Sequence, residues 1–310
     1  MNNNHHINWF YLSSSSGWIF IILYCLFTSI SSVWVSMSFS EIKGTTLTFF
    51  TLLVAQIIFL IFSFIKKQKT IGFIMENKLM VFWLNILTLF SWLLMFMALQ
   101  RIEASVESAI YQGWVPIVVM LLGLFKGNNG WLQVMGPLLI ATSIFALIVA
   151  RLYFNKDLHY NNTQMVLDGV ILASIAGCTG GIYIFLSAKI MKVIGVTTLH
   201  VLTTRFVILL LVTSALAQEQ LFTIVATDLY TLSKLVFLSI VFVVIPVYLL
   251  QHAILKLGAA RVSIITPLVP VVALATEYIV APWGNVWVPI LIGLVSISLI
   301  ISNILMKFKA

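Results

Sequence analysis

Glu107, Tyr111 and Trp114 stand at i, i+4 and i+7 inside an apolar run, so a helix there carries a carboxylate, a phenol and an indole on one face. Gln112 lies beside that face. Asn85, Thr88 and Trp92 share a face of the preceding run by the same rule, and Ser32, Trp34 and Tyr183 lie within two other runs. Tyr248, Gln251 and His252 cluster near the end of another. Brought together, these groups would line an amphipathic chamber of aromatic faces and neutral hydrogen-bonding groups. Such a chamber suits a solute with an apolar body and a polar tip, such as a larger amino acid. The plainer account of each aromatic is packing between helices or against lipid.

Charged groups are fewer and separate from these. Arg205 lies about eight residues into its run, ~12 Å from the inner end of a helix rising 1.5 Å per residue. It is a candidate for a solute carboxylate; snorkelling toward the inner headgroups, or a bond between helices, is the plainer account. Glu107 and Glu277 each stand about one turn from an expected outer helix end, where interfacial solvation competes with a proton-coupling role. His252 is titratable near neutral pH, but a structural histidine is an equal reading. Pro116, Pro267 and Pro270 free backbone carbonyls within their runs, which membrane proteins tolerate where those groups line a cavity or are buried in protein. As gating candidates they compete with simple kinks. The nine acids are scattered, and His5-His6 is isolated near the N-terminus, so no catalytic pair and no metal cluster is readable. Neither GxxxxGK[ST] nor GxGxxG occurs, so no nucleotide and no other cofactor is expected. Cys25 and Cys178 lie within apolar runs and imply no disulfide framework. Gly177 and Gly181 form a small-xxx-small pair suited to close helix packing.

The elements that position these residues follow from composition. Of 310 residues 61% are hydrophobic and 8% charged, with a mean hydropathy of +1.11. A water-soluble domain carries roughly 25% charged residues, so most side chains here face lipid or one another. By a ruler of about 20 apolar residues per crossing, ten spans are expected. They run over residues 17–39, 45–65, 79–99, 104–125 and 131–152, then 165–187, 197–217, 232–252, 259–281 and 287–306. The expected organisation is a polar tail (1–16), a first five-helix repeat (17–152), an external linker (153–164), a second repeat (165–306) and a short tail (307–310).

The net charge of +8 has no basic stripe with interleaved aromatics, so it points to membrane orientation and not to nucleic acid. With a cytoplasmic N-terminus, the inner side receives Lys66, Lys67, Lys69, Lys78, Lys126, Lys189, Lys192, Lys256, Arg261, Lys307 and Lys309. The outer side receives Lys43, Arg101, Arg151, Lys156 and Lys234. Eleven against five predicts both termini in the cytoplasm of a multi-pass protein of the cytoplasmic (inner) membrane. Trp18, Trp131, Trp283 and Trp287 fall at expected helix ends, where indole favours the interface.

A repeat ties the halves together. ALQRIEASVESAIYQGWVPIVVMLLG begins at Ala98 and AILKLGAARVSIITPLVPVVALA at Ala253. A shift of about 155 positions lays Arg101 on Lys256, Ala104 on Ala259 and Ser108 on Ser263, and a similar shift lays Thr45–Leu53 on Thr197–Arg205. Two copies of five spans enter the membrane in opposite senses, as in many secondary transporters.

These two passages resemble the EamA-type repeat of the drug/metabolite transporter superfamily, over nearly the whole chain and most strongly from Gly169 to Ile304. The resemblance implies an all-α integral membrane protein of ten helices in two inverted five-helix repeats. It also implies inward-facing termini and a central cavity lined mainly by spans 1, 3, 4, 6, 8 and 9. Gln112-Gly113-Trp114 departs from the aliphatic run usual before the proline of span 4. The superfamily moves amino acids, nucleotide conjugates, sugars and drugs, so the resemblance gives a mechanism class and leaves the solute, the direction and the oligomeric state open. The expected partners are a small-molecule substrate and the bilayer, with a proton or counter-substrate as possible coupling partner. Gradient-driven facilitation or exchange is favoured over obligatory proton coupling. An intramembrane enzyme would need a reactive constellation that these residues do not offer, and a non-transporting scaffold would need larger loops.

Overall fold

A computed structural model describes residues 5–68, 70–124, 131–154, 162–194, 196–227, 229–258, 261–262, 265–280 and 285–307. Among them all regular structure is helical. The order is α1 (His5–Ser38), α2 (Gly44–Ile65), α3 (Thr70–Glu76), α4 (Lys78–Leu99), α5 (Ala104–Leu124), α6 (Trp131–Tyr153) and α7 (Thr163–Ile194). There follow α8 (Thr198–Thr204), α9 (Val207–Leu216), α10 (Gln218–Thr227), α11 (Leu229–Leu238), a π-helical segment (Ser239–Val244), α12 (Ile245–Leu257), α13 (Leu268–Val280) and α14 (Trp287–Lys307).

Eight stretches are long and apolar enough to cross a membrane; the pairs α8–α9 and α11–α12 each count once. Two shorter apolar helices, Leu268–Val280 and Trp287–Ser302, stand where the last two spans are expected. Large apolar side chains point outward along many of the helices: Phe64 is 86% exposed, Ile279 85% and Leu79 72%. Apolar exposure of this extent is untenable in water and ordinary against hydrocarbon.

Several boundaries differ from the sequence expectation for physical reasons. α1 starts at His5, well before Gly17, because Ser13–Ser16 lower helix propensity without ending a helix. Three of the expected spans are interrupted. α8 and α9 are separated at Arg205–Phe206. The π segment precedes Pro246, as π-bulges commonly accompany functional sites. The expected ninth span breaks at a turn, Thr266–Pro267, before α13. Pro270 therefore lies in the first turn of α13, where a missing N–H costs no helical bond, and not in mid-helix. Pro116 alone of the three sequence candidates sits inside a continuous helix, α5, and leaves the Gln112 carbonyl without its helical donor.

Helices from the two halves interleave. α7 packs against α4 and α5, while α1 packs against α12 and α13. α6 lies on α14, α5 on α13, and α2 on α9. α4 touches α9, and α2 touches the π segment. Gly177 and Gly181 allow the α5–α7 contact: a Cβ at Gly177 would stand 2.6 Å from the Tyr111 carbonyl oxygen, and one at Gly181 2.9 Å from that of Val115.

Arg151, counted above among outer-side cations, is fully buried and pairs in two hydrogen bonds of 2.8 Å with Glu103. It ties the end of α6 to the start of α5 and is no headgroup-facing charge. Trp287 opens α14 and is 59% exposed, whereas Trp18 packs against a buried cluster. Lys69, Lys126, Lys156, Lys309, Ala259, Ser263, Trp283 and most of the expected linker lie outside the described residues, as does the Trp131 side chain.

Candidate functional site

The break between α8 and α9 is held by two carboxamides from other helices. Gln56 of α2 donates to the Thr203 carbonyl at 2.8 Å. Asn85 of α4 donates to the Thr204 carbonyl at 2.6 Å and accepts from the Ile208 N–H at 3.1 Å. Orphaned backbone groups in hydrocarbon cost several kcal/mol each, and broken helices survive only where protein supplies partners. Here it does, and the break turns Arg205 inward.

Arg205 is 3% exposed, so it does not reach the inner headgroups as snorkelling would require. Its guanidinium carbon stands 4.1 Å from the centre of the Tyr183 ring and 4.9 Å from that of Phe206, in cation–π geometry. Among the described residues the guanidinium makes no hydrogen bond and no ion pair, and Nε is fully buried without a partner. Tyr183 is fixed from behind: its hydroxyl donates to Gln251 Oε1 at 3.3 Å, and Gln251 Nε2 reaches Met191 Sδ at 3.2 Å.

Arg205 lines a cavity of about 60 Å³ at the meeting point of both halves. That volume holds a few waters. α5 contributes Glu107, Tyr111 and Gln112 to the same wall, and α4 contributes Ser91 and Trp92. Tyr111 and Ser91 share a hydrogen bond of 2.9 Å. Glu107 is 3% exposed, and its Oε1 is buried without a partner. A carboxylate and a guanidinium thus share one enclosed space without pairing to each other. Trp92 meets Phe242 edge-on at 6.2 Å and Phe206 at 6.5 Å, forming an aromatic side to the chamber. α1 adds Tyr24, Thr28 and Ser32 at i, i+4 and i+8, and both Thr266 at the break before α13 and Pro246 after the π segment reach the wall.

Of the residues singled out from sequence, the structure brings Ser32, Trp92, Glu107, Tyr111, Gln112, Tyr183 and Arg205 together here. The others lie elsewhere. Trp34 packs edge-on against Phe39 and Phe237 at the far end of α1. Asn85 bonds to backbone at the α8–α9 break. Trp114 shares a face with Glu107 and Tyr111, but one turn on, where the close α5–α7 contact at Gly177 shuts the cavity and the indole joins an apolar cluster. Gln251 stands behind Tyr183. Tyr248 and His252, with rings 4.1 Å apart, line a separate cleft.

Glu277 is 4% exposed, not solvated at the interface; it accepts from the Ser105 N–H at 3.0 Å and from the Ser105 hydroxyl at the start of α5, where a helix N-terminus favours an acid. Tyr24, Thr28, Ser91, Phe242, Pro246 and Thr266 were not singled out. The i, i+4, i+8 spacing of Tyr24, Thr28 and Ser32 was the one available sign of them.

Residues 15–149 match the model of the EamA-like transporter family. The match falls on the first half, which contains the Gln112-Gly113-Trp114 departure, whereas the resemblance in the sequence is strongest from Gly169 to Ile304. Over those residues the chain is similar to this family, which is part of the drug/metabolite transporter superfamily and whose members are transporters. A solved structure titled only as a crystal structure of a protein is similar in fold, with a TM-score of 0.59 at 12% identity over 96% of this chain and 99% of that one. No curated protein matches the chain.

Proposed function

We propose that this membrane protein is a secondary transporter of the EamA-like family that carries a small organic metabolite across the cytoplasmic membrane by alternating access. In this reading ten crossings form two inverted five-helix repeats, 17–152 and 165–306, joined by an external linker with both termini cytoplasmic. The helix contacts support it, because they come in the reciprocal pairs that a twofold repeat requires. The first crossing meets the eighth and ninth, and the sixth meets the third and fourth. The second meets the eighth, and the seventh meets the third. The fifth meets the tenth, the fourth meets the ninth, and the second meets the seventh, each its own counterpart.

The observation that carries the proposal is Arg205. A buried guanidinium with no hydrogen-bond acceptor is expensive, and an intramembrane charge of that kind marks a site for an anionic group. Beside it stand Glu107, which would meet an ammonium or a proton, and the ring faces of Trp92, Tyr183 and Phe242. That set fits an amino-acid-like or other amphipathic solute whose carboxylate reaches Arg205. A cavity of about 60 Å³ is too small for such a solute, and this fits a contracted state between openings to the two sides. The two helix breaks and the π segment lie on its wall, where a change of shape needs the fewest lost backbone bonds.

Counterflow tests the proposal. Purified protein in liposomes loaded with unlabelled large neutral amino acids should accumulate the labelled form above protein-free vesicles. Absence of flux with those solutes and with a wider panel of small carboxylates would overturn it.

A further inference from the structure

We propose that the cleft between α2, α8 and α12 is a binding site for an anionic phospholipid with a hydroxylated headgroup. The cleft measures about 630 Å³, within the range of small-molecule sites, and is separate from the central cavity. Its deep wall is apolar, made by Phe59, Val244 and Ile245. Its sides open on the hydrocarbon-facing surface, where Phe62 is 45% and Leu255 49% exposed. An occupant therefore reaches it from the bilayer, with an acyl chain against those rings and aliphatic groups.

The other end of the cleft is polar and built. Lys66 caps α2, where its apolar run ends and headgroups begin. Among the described residues no Asp or Glu lines the cleft, so its rim favours an anion. Thr198 is 4% exposed, and its hydroxyl oxygen is buried without a partner. Gln68 donates through Nε2 to the Thr197 hydroxyl at 3.0 Å, which leaves its buried Oε1 without one. A phosphodiester satisfies the donors, accepting from the Lys66 ammonium and the Thr198 hydroxyl. A headgroup hydroxyl satisfies Gln68 Oε1. The site needs only that the chain sits in a bilayer, and it stands or falls apart from the identity of the transported solute.

The test is lipid retention by the purified full-length protein, read by native mass spectrometry and thermal unfolding. The probes are dioleoylphosphatidylglycerol, dioleoylphosphatidylcholine and, as headgroup alone, glycerol-3-phosphate. Wild type should retain phosphatidylglycerol about 10-fold better than phosphatidylcholine and unfold at a higher temperature with it, while glycerol-3-phosphate leaves unfolding unchanged. Lys66→Gln, an exposed position that leaves packing intact, and the near-isosteric Thr198→Val should each bring retention toward the phosphatidylcholine level. Ile245→Trp should reduce retention of both lipids. Equal retention of the two lipids by wild type would overturn the proposal, as would an unchanged preference in both polar variants. Stabilisation by glycerol-3-phosphate alone would replace it with a soluble-anion site, and burial of the cleft in a dimer of this chain would replace it with a protein interface.

Discussion

Asn85 spans the helix break that carries Arg205. One neutral side chain donates to the carbonyl before the arginine at 2.6 Å and accepts from the N–H of Ile208 after it at 3.1 Å. The amide thereby replaces backbone bonds on both sides of Arg205, the buried cation that makes no hydrogen bond and no ion pair among the described residues. In the proposed function its part is to aim Arg205.

Asn85→Leu should leave the Thr204 carbonyl and the Ile208 N–H unpaired, at about 1–3 kcal/mol for each buried group. Thermal or denaturant unfolding in detergent reads the loss. Asn85→Asp keeps the acceptor and loses the donor, so it should fall between wild type and Asn85→Leu. Unfolding unchanged in Asn85→Leu would mean that the break does not depend on this bridge.

Two glycines give a contrast in packing. A Cβ at Gly177 meets the Tyr111 carbonyl at 2.6 Å, whereas one at Gly293 meets nothing within 4 Å. Gly177→Ala should destabilise the protein by about 1–3 kcal/mol through overpacking. Gly293→Ala should be neutral or slightly stabilising, because alanine gains helix propensity. Equal unfolding of the two variants would show that α5 and α7 are not in backbone contact.

The Arg151–Glu103 pair is buried, so its loss should be asymmetric. Arg151→Met alone strands a carboxylate and should cost about 3–5 kcal/mol, while Arg151→Met with Glu103→Gln should recover much of that. A double-mutant cycle on unfolding free energy measures the coupling. Additive costs would show that the two side chains do not pair.

Much of the fold was readable from the chain, and the parts that were not share a cause. Composition and run length located the eight stretches long and apolar enough to cross a membrane, and helical spacing put Glu107 and Tyr111 on a shared face. The α8–α9 break contains neither Pro nor Gly, and its stabilising amides come from 147 and 119 positions away, so no local pattern announces it. Snorkelling, or a bond between helices, was therefore the plainer account of Arg205 beside its candidacy for a solute carboxylate. Trp114 kept its predicted face but lost the cavity to a glycine contact from α7. Glu277 was read by distance from a helix end, while its partner, Ser105, lies 172 positions away.

Orientation is tested at the ends of α2, where Glu41 and Lys67 are both exposed. In a background with Cys25 and Cys178 replaced, a membrane-impermeant maleimide added to intact cells should label Glu41→Cys and spare Lys67→Cys. Permeabilised cells should label both. The reverse pattern in intact cells would invert the proposed topology.

The central claim is that Arg205 receives the carboxylate of a transported solute. Its most direct test compares Arg205→Gln and Arg205→Lys with wild type in proteoliposome counterflow. The probes are a labelled large neutral amino acid and the amine that lacks its carboxylate. Loss of a buried charge-assisted contact is worth roughly 1.5–3 kcal/mol, or about 10- to 100-fold. The account predicts that Arg205→Gln lowers amino-acid flux by that factor, that Arg205→Lys retains part of it, and that wild type does not move the amine at a comparable rate. Amino-acid flux unchanged in a normally inserted Arg205→Gln protein, or equal movement of acid and amine by wild type, would contradict it.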